Sequence, residues 1–188
     1  MREVCDTVFV VTTRPEAALQ LGSLYSRLDQ SDKAIESFQR AIGLLSESRQ
    51  AQLADTATAD IWRQHWEFAQ LGLGQSFILA KRFAEAADHL RGMLAEDPDN
   101  VEVLGSLASV LTELGQADSV QALYDNLLNK PGLGERDLFN AGVGLYQIEN
   151  YAKAAEAFKK AADMNPFNRD ARLNLAQTYY AAEMWQEI

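Results

Sequence analysis

The chain has 188 residues, 47% of them hydrophobic and 23% charged, which is enough apolar material for a folded core and excludes a disordered tail. Its formal net charge of −10 repels the phosphate backbone of nucleic acids. No apolar run exceeds four residues, as at Val8–Val11, whereas a membrane-spanning helix needs about 18. The sequence therefore predicts no membrane span and no nucleic-acid partner. It favours a cytoplasmic location, or a periplasmic one if the native N-terminus is missing.

Small residues recur along the chain at a fixed period. They are separated by 52, 34, 34 and 34 residues and stand at Gly22, Gly74, Ala108, Gly142 and Ala176. A large apolar residue follows each of them three places later, at Tyr25, Phe77, Leu111, Leu145 and Tyr179. Apolar residues within each repeat are spaced three, four and seven apart, which predicts amphipathic helices. Prolines at 98, 131 and 166 are expected to end the second helix of each hairpin.

The fourth repeat carries the fullest motif, at Leu138, Gly142, Leu145, Tyr151, Ala154, Phe158, Ala161 and Pro166. This 34-residue pattern resembles the tetratricopeptide repeat. The resemblance implies an all-α, right-handed superhelical solenoid of helix-turn-helix hairpins, with four units plus the first helix of a fifth. The predicted units are 15–48, 67–100, 101–134, 135–168 and a partial unit at 169–188. Residues 1–14 form a leader outside the repeats, and 49–66 form an insertion.

The insertion is 18 residues long, which is about five helical turns and preserves the helix phase. We therefore expect the helices on either side of it to be extended, with a turn near Asp55–Thr58. Trp62 and Trp66 lie four residues apart within it. They either pack against Leu45 and Leu53 or form an aromatic contact surface.

The end of the sequence predicts that the chain is a fragment of a longer protein. Trp185 and Ile188 hold the positions that would open a second helix of the fifth hairpin. Leu175 and Tyr179 on its first helix are then expected to lack a partner helix. This uncapped C-terminal end is a candidate surface for self-association.

The sequence offers no catalytic constellation. His65 and His89 have no ligands at metal-binding spacing and are expected to be exposed helix residues. The single cysteine, Cys5, has no nearby base in the sequence. The sequence therefore predicts no enzyme activity, no metal and no cofactor.

The resemblance instead implies a groove lined by the first helix of each unit. Its expected contact residues are Phe68, Leu71, Gln75, Arg136, Phe139, Asn140, Val143, Tyr146, Asn174, Gln177 and Tyr180. Among them Phe139, Tyr146 and Tyr180 are the favoured contacts, while Leu71 and Val143 have packing as an alternative role.

We expect a protein or peptide partner that contributes an apolar or aromatic segment to this groove. The function favoured by the sequence is a protein-interaction scaffold or adaptor. The alternative is a targeting or regulatory region of a larger enzyme whose catalytic domain lies outside this chain. An RNA-binding helical repeat is disfavoured by the 34-residue period and the negative charge.

Overall fold

The computed structural model describes residues 14–52 and 56–183, and only the backbone of residues 50–52, 56 and 57. Within these ranges the chain forms nine α-helices and no strand, which confirms the all-α fold. The helices are α1 (Pro15–Arg27), α2 (Ser31–Gln52), α3 (Thr56–Leu79), α4 (Phe83–Glu96), α5 (Val101–Glu113), α6 (Ala117–Leu128), α7 (Glu135–Gln147), α8 (Tyr151–Met164) and α9 (Arg169–Ala181). They belong to two compact units, Met1–His89 and Leu90–Ile188.

Local sequence signals set the helix ends. Asn100, Asn150 and Asn168 precede α5, α8 and α9, and each side chain accepts a hydrogen bond from a backbone N–H of the first turn. The predicted prolines lie two or three residues beyond the ends of α4, α6 and α8, where a missing N–H costs nothing. The hairpin boundaries therefore follow directly from residue chemistry.

The turn between the two helices of a hairpin contains one residue in the left-handed region, with φ between 56° and 69°. These residues are Asp29, Lys81, Gly115, Glu149 and, after α9, Glu183. In the first turn the N–H of Gln30 donates to the carbonyl of Tyr25 at 2.9 Å, and the N–H of Asp29 donates to Ser26. This pair of bonds is a Schellman motif, which ends one helix and turns the chain into the next.

In the first unit, α2 and α3 are 22 and 24 residues long, whereas every other described helix has 12 to 14. The turn predicted at Asp55–Thr58 is wrong for residues 56–58. They already belong to α3, and Asp55 lies outside the described residues.

Trp62 packs α3 against α2. Its side chain is 4% exposed, and its indole Nε1–H donates to the Leu45 carbonyl at 2.9 Å. Trp66 is half-buried and stacks on Trp62, with 5.2 Å between ring centroids. The packing role is thus the correct one for Trp62. Leu53, the other expected partner, lies outside the described residues.

Phe38 of α2 occupies the space that glycines leave on two helices of the first unit. A Cβ atom added at Gly22 of α1 would stand 2.8 Å from its ring, and one added at Gly72 of α3 would stand 2.5 Å away. Real Cβ atoms do not approach other atoms so closely, so both helices depend on glycine here.

The second unit uses the same type of contact. Phe158 of α8 lies against Gly142 of α7, where a Cβ would stand 2.7 Å from the ring. Tyr124 of α6 lies against Gly144 of α7, and a Cβ there would overlap the phenol oxygen. Tyr124 is only 4% exposed, and this burial raises its pKa from 10.0 to about 12.

The expectation that both histidines are exposed is wrong. His89 is half-buried, with its ring Nε2 2.8 Å from the Gln70 carbonyl and its centroid 6.1 Å from that of Phe77. Burial lowers the pKa of His89, and the contact with Gln70 opposes that shift. His65 is also partly covered and lies 3.7 Å from a carboxylate oxygen of Glu16 on α1. The sequence missed this because the covering groups come from other helices or from distant turns.

We predict that Gly144→Ala lowers the free energy of unfolding by about 1–3 kcal/mol, because the added methyl group displaces the Tyr124 ring. Gly105→Ala is the matched control, since nothing lies within 4 Å of a Cβ at that position of α5. It should raise stability by about 0.5–1 kcal/mol through helix propensity alone. Urea unfolding of both variants measures the difference, and equal effects would contradict this packing.

Trp62→Phe should lower the free energy of unfolding by about 1–3 kcal/mol, because it removes the indole hydrogen bond to Leu45 and part of the buried ring. Trp66→Phe should cost less, since the Trp66 side chain is only half-buried. Thermal unfolding followed by circular dichroism compares the two. A larger effect at Trp66 would refute the assigned roles.

Stability should fall between pH 10 and pH 12. The unfolded chain loses the Tyr124 proton near its ordinary pKa of 10.0, whereas the folded chain keeps it to about pH 12. A shift of this size corresponds to about 2–3 kcal/mol, present below pH 10 and lost by pH 12. Tyr124→Phe should remove this part of the alkaline loss. Unfolding free energies of both proteins across this range provide the measurement, and parallel curves would contradict the prediction.

Candidate functional site

A cleft of about 570 Å³ lies between α5 and α7, with α6 beneath it, entirely within the second unit. Its lining residues are Val101, Glu102, Leu104, Gly105, Ser106, Ser109, Tyr124, Leu127, Arg136, Asp137, Asn140, Ala141, Val143, Gly144 and Gln147. Its buried members include Leu104, Tyr124 and Leu127 and form an apolar floor. Glu102, Arg136, Asn140 and Gln147 are exposed at its rim.

Helical spacing brings the rim residues together. Arg136, Asn140, Val143 and Gln147 follow one another at intervals of four, three and four, so they share one face of α7. The opposite face carries Leu138 and Leu145, which are buried in the hairpin. On α5, the small residues Gly105, Ser106 and Ser109 face the cleft and leave its volume open.

Some polar groups of the cleft are already used within the chain. The hydroxyls of Ser106 and Ser109 donate to backbone carbonyls of α5 at 3.0 and 3.1 Å. A carboxylate oxygen of Asp137 accepts the N–H of Gly134 at 3.0 Å. The polar groups of these three side chains are therefore already engaged within the chain.

Four rim side chains are available to a ligand. Those of Glu102, Arg136, Asn140 and Gln147 form no hydrogen bond and no ion pair with any residue that the structure describes. Glu102 and Arg136 are the second residues of α5 and α7, so opposite charges stand at the same end of the two helices. The rim thus offers one cation, one anion and two carboxamides.

Three of the residues expected from the sequence, Arg136, Asn140 and Val143, lie in this cleft. Phe139 does not line it. Its ring is half-buried, 5.6 Å from that of Phe158, and packs against the small core of Leu138, Ala161 and Ala171.

The other expected contacts lie on separate surfaces. Tyr146 is 38% exposed, and its ring meets that of Tyr151 edge-on at 5.3 Å. On α9, Asn174 donates to the Asp170 carbonyl, Gln177 is exposed, and Tyr180 is 65% exposed.

In the first unit, Phe68 is 48% exposed and its ring meets that of Phe38 edge-on at 6.2 Å. Gln75 is exposed and Leu71 is half-buried.

Sequence reasoning missed Tyr124 and Gly144 as parts of a site. Contact positions were assigned only to the first helix of each unit, whereas Tyr124 belongs to a second helix. Gly144 was given no role in the sequence analysis. Both residues are recognised from the structure, in which the Tyr124 hydroxyl lies against Gly144, a residue without a Cβ.

No group of three or more His, Cys, Asp or Glu residues among the described positions is arranged to hold a metal ion. Among the helices of those same positions, none has the length and apolar character required to cross a membrane.

Comparison with known proteins adds family evidence to this geometry. Models described as tetratricopeptide repeat match residues 15–44, 77–131 and 139–187. None of the curated proteins matches the sequence.

Several solved structures share the fold. The TPR protein YrrB, described as having an unusual peptide-binding site, is 18% identical; the match covers 95% of this chain and 82% of YrrB, with a TM-score of 0.56. MamA is 14% identical over 92% of this chain and 85% of its own, with a TM-score of 0.60. Yeast Tom70 is 19% identical over 97% of this chain but only 36% of its own, with a TM-score of 0.59.

The matched segments together cover more than half of the sequence, and they coincide with helical hairpins in both compact units. These models describe the same repeat whose 34-residue period the small residues of this sequence follow. The chain belongs to the tetratricopeptide-repeat family.

Proposed function

We propose that this chain is a protein-interaction module, acting as a scaffold or adaptor, and that it binds a peptide segment of a partner in the cleft between α5 and α7. The observation that carries the proposal is an open cleft of about 570 Å³ with an apolar floor and unpaired polar side chains at its rim. This volume is typical of sites that bind small ligands or short peptide segments.

The rim chemistry suits a peptide backbone. Carboxamides both donate and accept hydrogen bonds, so Asn140 and Gln147 match the alternating C=O and N–H groups of an extended chain. They are seven residues apart on α7, which is about 10 Å along the helix axis. Three residues of an extended peptide span the same distance. One peptide therefore reaches both side chains.

The floor favours an apolar or small side chain of the partner. Leu104 and Leu127 of the floor, with Val143 on the α7 wall, supply the apolar surface, and an apolar side chain that packs there is removed from water. The charged residues of the cleft are Glu102, Asp137 and Arg136, so their charges nearly cancel. We therefore expect affinity to depend only weakly on salt concentration.

Phe68, Leu71, Gln75, Phe139, Tyr146, Asn174, Gln177 and Tyr180 remain predicted contacts for a longer partner. None of them lines the cleft. Phe139→Ala also makes a poor probe of binding, because its ring packs against the core of its own hairpin.

The test uses 12-residue peptides selected from a random phage-displayed library on the full chain. The variant Arg136→Ala/Asn140→Ala removes two exposed rim groups, and it should weaken the selected peptides by about tenfold, as expected for one or two lost hydrogen bonds. Arg27→Ala/Asn126→Ala is the control, with the same residue types changed at exposed positions outside the cleft. Fluorescence anisotropy gives the affinities, and circular dichroism verifies equal helicity.

Equal binding by the two double variants would refute the cleft as the binding site. A library that yields no peptide would refute peptide binding by this chain.

A further inference from the structure

Tyr124 is the one tyrosine in its repeat column. The corresponding positions in the other hairpins hold Phe38, Leu90 and Phe158. All four side chains are buried, at 1% to 4% exposure, so an apolar side chain satisfies the packing of this position. The hydroxyl of Tyr124 is therefore not required to hold the helices together.

That hydroxyl has no hydrogen-bond partner among the residues that the structure describes. Only 4% of the Tyr124 surface is exposed to solvent, and this burial raises the pKa of the phenol. A buried polar group without a partner destabilises the folded state, because it has lost its hydrogen bonds to water. Such a group calls for an explanation, and one explanation is a ligand that supplies the missing bond.

The position of the hydroxyl agrees with this explanation. Tyr124 lines the cleft between α5 and α7 together with Asn140 and Arg136 of the rim. Its oxygen lies against Gly144, where any larger residue would displace it. Gly105, on the opposite wall, has nothing within 4 Å of where its Cβ would stand. The cleft is thus open above a fixed phenol ring.

We infer that the Tyr124 hydroxyl donates a hydrogen bond to a side-chain carboxamide of the bound peptide, so that the cleft selects Asn or Gln at the residue seated over Tyr124, next to the residue whose apolar side chain packs on Leu104, Leu127 and Val143. This inference rests on the proposed function, because it names the chemistry that the same cleft recognises.

A carboxamide fits better than the other acceptors. The phenol keeps its proton at every pH below about 12, so it acts as a donor and requires an acceptor. A backbone carbonyl stays on the axis of the peptide, whereas the floor is reached by a side chain. A carboxylate would have to lose its water beside Glu102 and Asp137, with only Arg136 to compensate. The carboxamide is neutral, and its NH₂ group finds acceptors at the rim in Glu102 and Asn140.

The experiment runs two parallel selections of the same 12-residue random library, one on the wild-type chain and one on Tyr124→Phe. Wild-type peptides should be enriched in Asn or Gln at one position. Peptides selected on Tyr124→Phe should carry an apolar residue such as Leu or Met there, because the phenyl ring offers no donor. A synthetic wild-type peptide and its Gln→Met or Asn→Leu counterpart then complete a double-mutant cycle with the two proteins.

The expected result is a loss of about tenfold in affinity when the carboxamide is replaced on the wild-type protein, and little or no loss on Tyr124→Phe. If the peptides depend on Arg136 and Asn140 but not on the Tyr124 hydroxyl, the inference fails and the proposed function stands. If no selected peptide depends on the cleft, both fail.

A second measurement needs no peptide. The melting temperature of ligand-free Tyr124→Phe at neutral pH should equal or exceed that of the wild type, since no internal hydrogen bond is lost. A lower melting temperature with unchanged helicity would show that the hydroxyl already has a partner inside the protein, and it would overturn the inference.

Discussion

The packing of both units depends on aromatic rings that press against glycines of neighbouring helices. Phe38 meets Gly22 and Gly72, and Phe158 meets Gly142, at distances that leave no space for a methyl group. Each contact buries a large ring and at the same time lets two helix backbones approach closely. Because the ring and the glycine lie on different helices, neither helix can shift along the other without opening a void or a clash.

The cleft is a consequence of this constraint. Gly144 lets Tyr124 of α6 lie flush beneath α7, so the ring becomes the floor of the space between α5 and α7. The wall on α5 is built from glycine and serine, which fill little of that space. A larger residue at Gly144 would displace the Tyr124 ring, and longer side chains on the α5 wall would take up part of the cleft, so small residues define its shape.

The sequence predicted the hairpins well because their signals are local. A 34-residue period, amphipathic spacing and prolines after second helices all arise within one repeat, and each corresponds to a helix or a helix end in the structure. The left-handed turn residues were not foreseen, since only Gly115 carries the usual signal, while Asp29, Lys81 and Glu149 are charged. There the Schellman hydrogen bonds of the preceding helix impose the conformation on an ordinary residue.

The site was predicted only in part because it depends on more than one helix. Arg136, Asn140 and Val143 share a face of α7, which helical spacing reveals. Phe139 adjoins that face in sequence, but its ring turns to the core that α7, α8 and α9 share. Periodicity does not show which neighbouring helix covers a residue, and His89 was misjudged for the same reason, being covered by groups of α3.

Comparison between repeats of one chain separates packing from recognition. The same position of four successive hairpins holds Phe38, Leu90, Tyr124 and Phe158. All four have a large, buried apolar side chain, and this shared property is what packing requires. What one of them has in addition, the hydroxyl of Tyr124, contributes no hydrogen bond within the described structure and carries a desolvation cost. A buried hydroxyl that forms no hydrogen bond within the described fold is suited to an interaction outside the chain, and Tyr124 lines the cleft that such an interaction would fill.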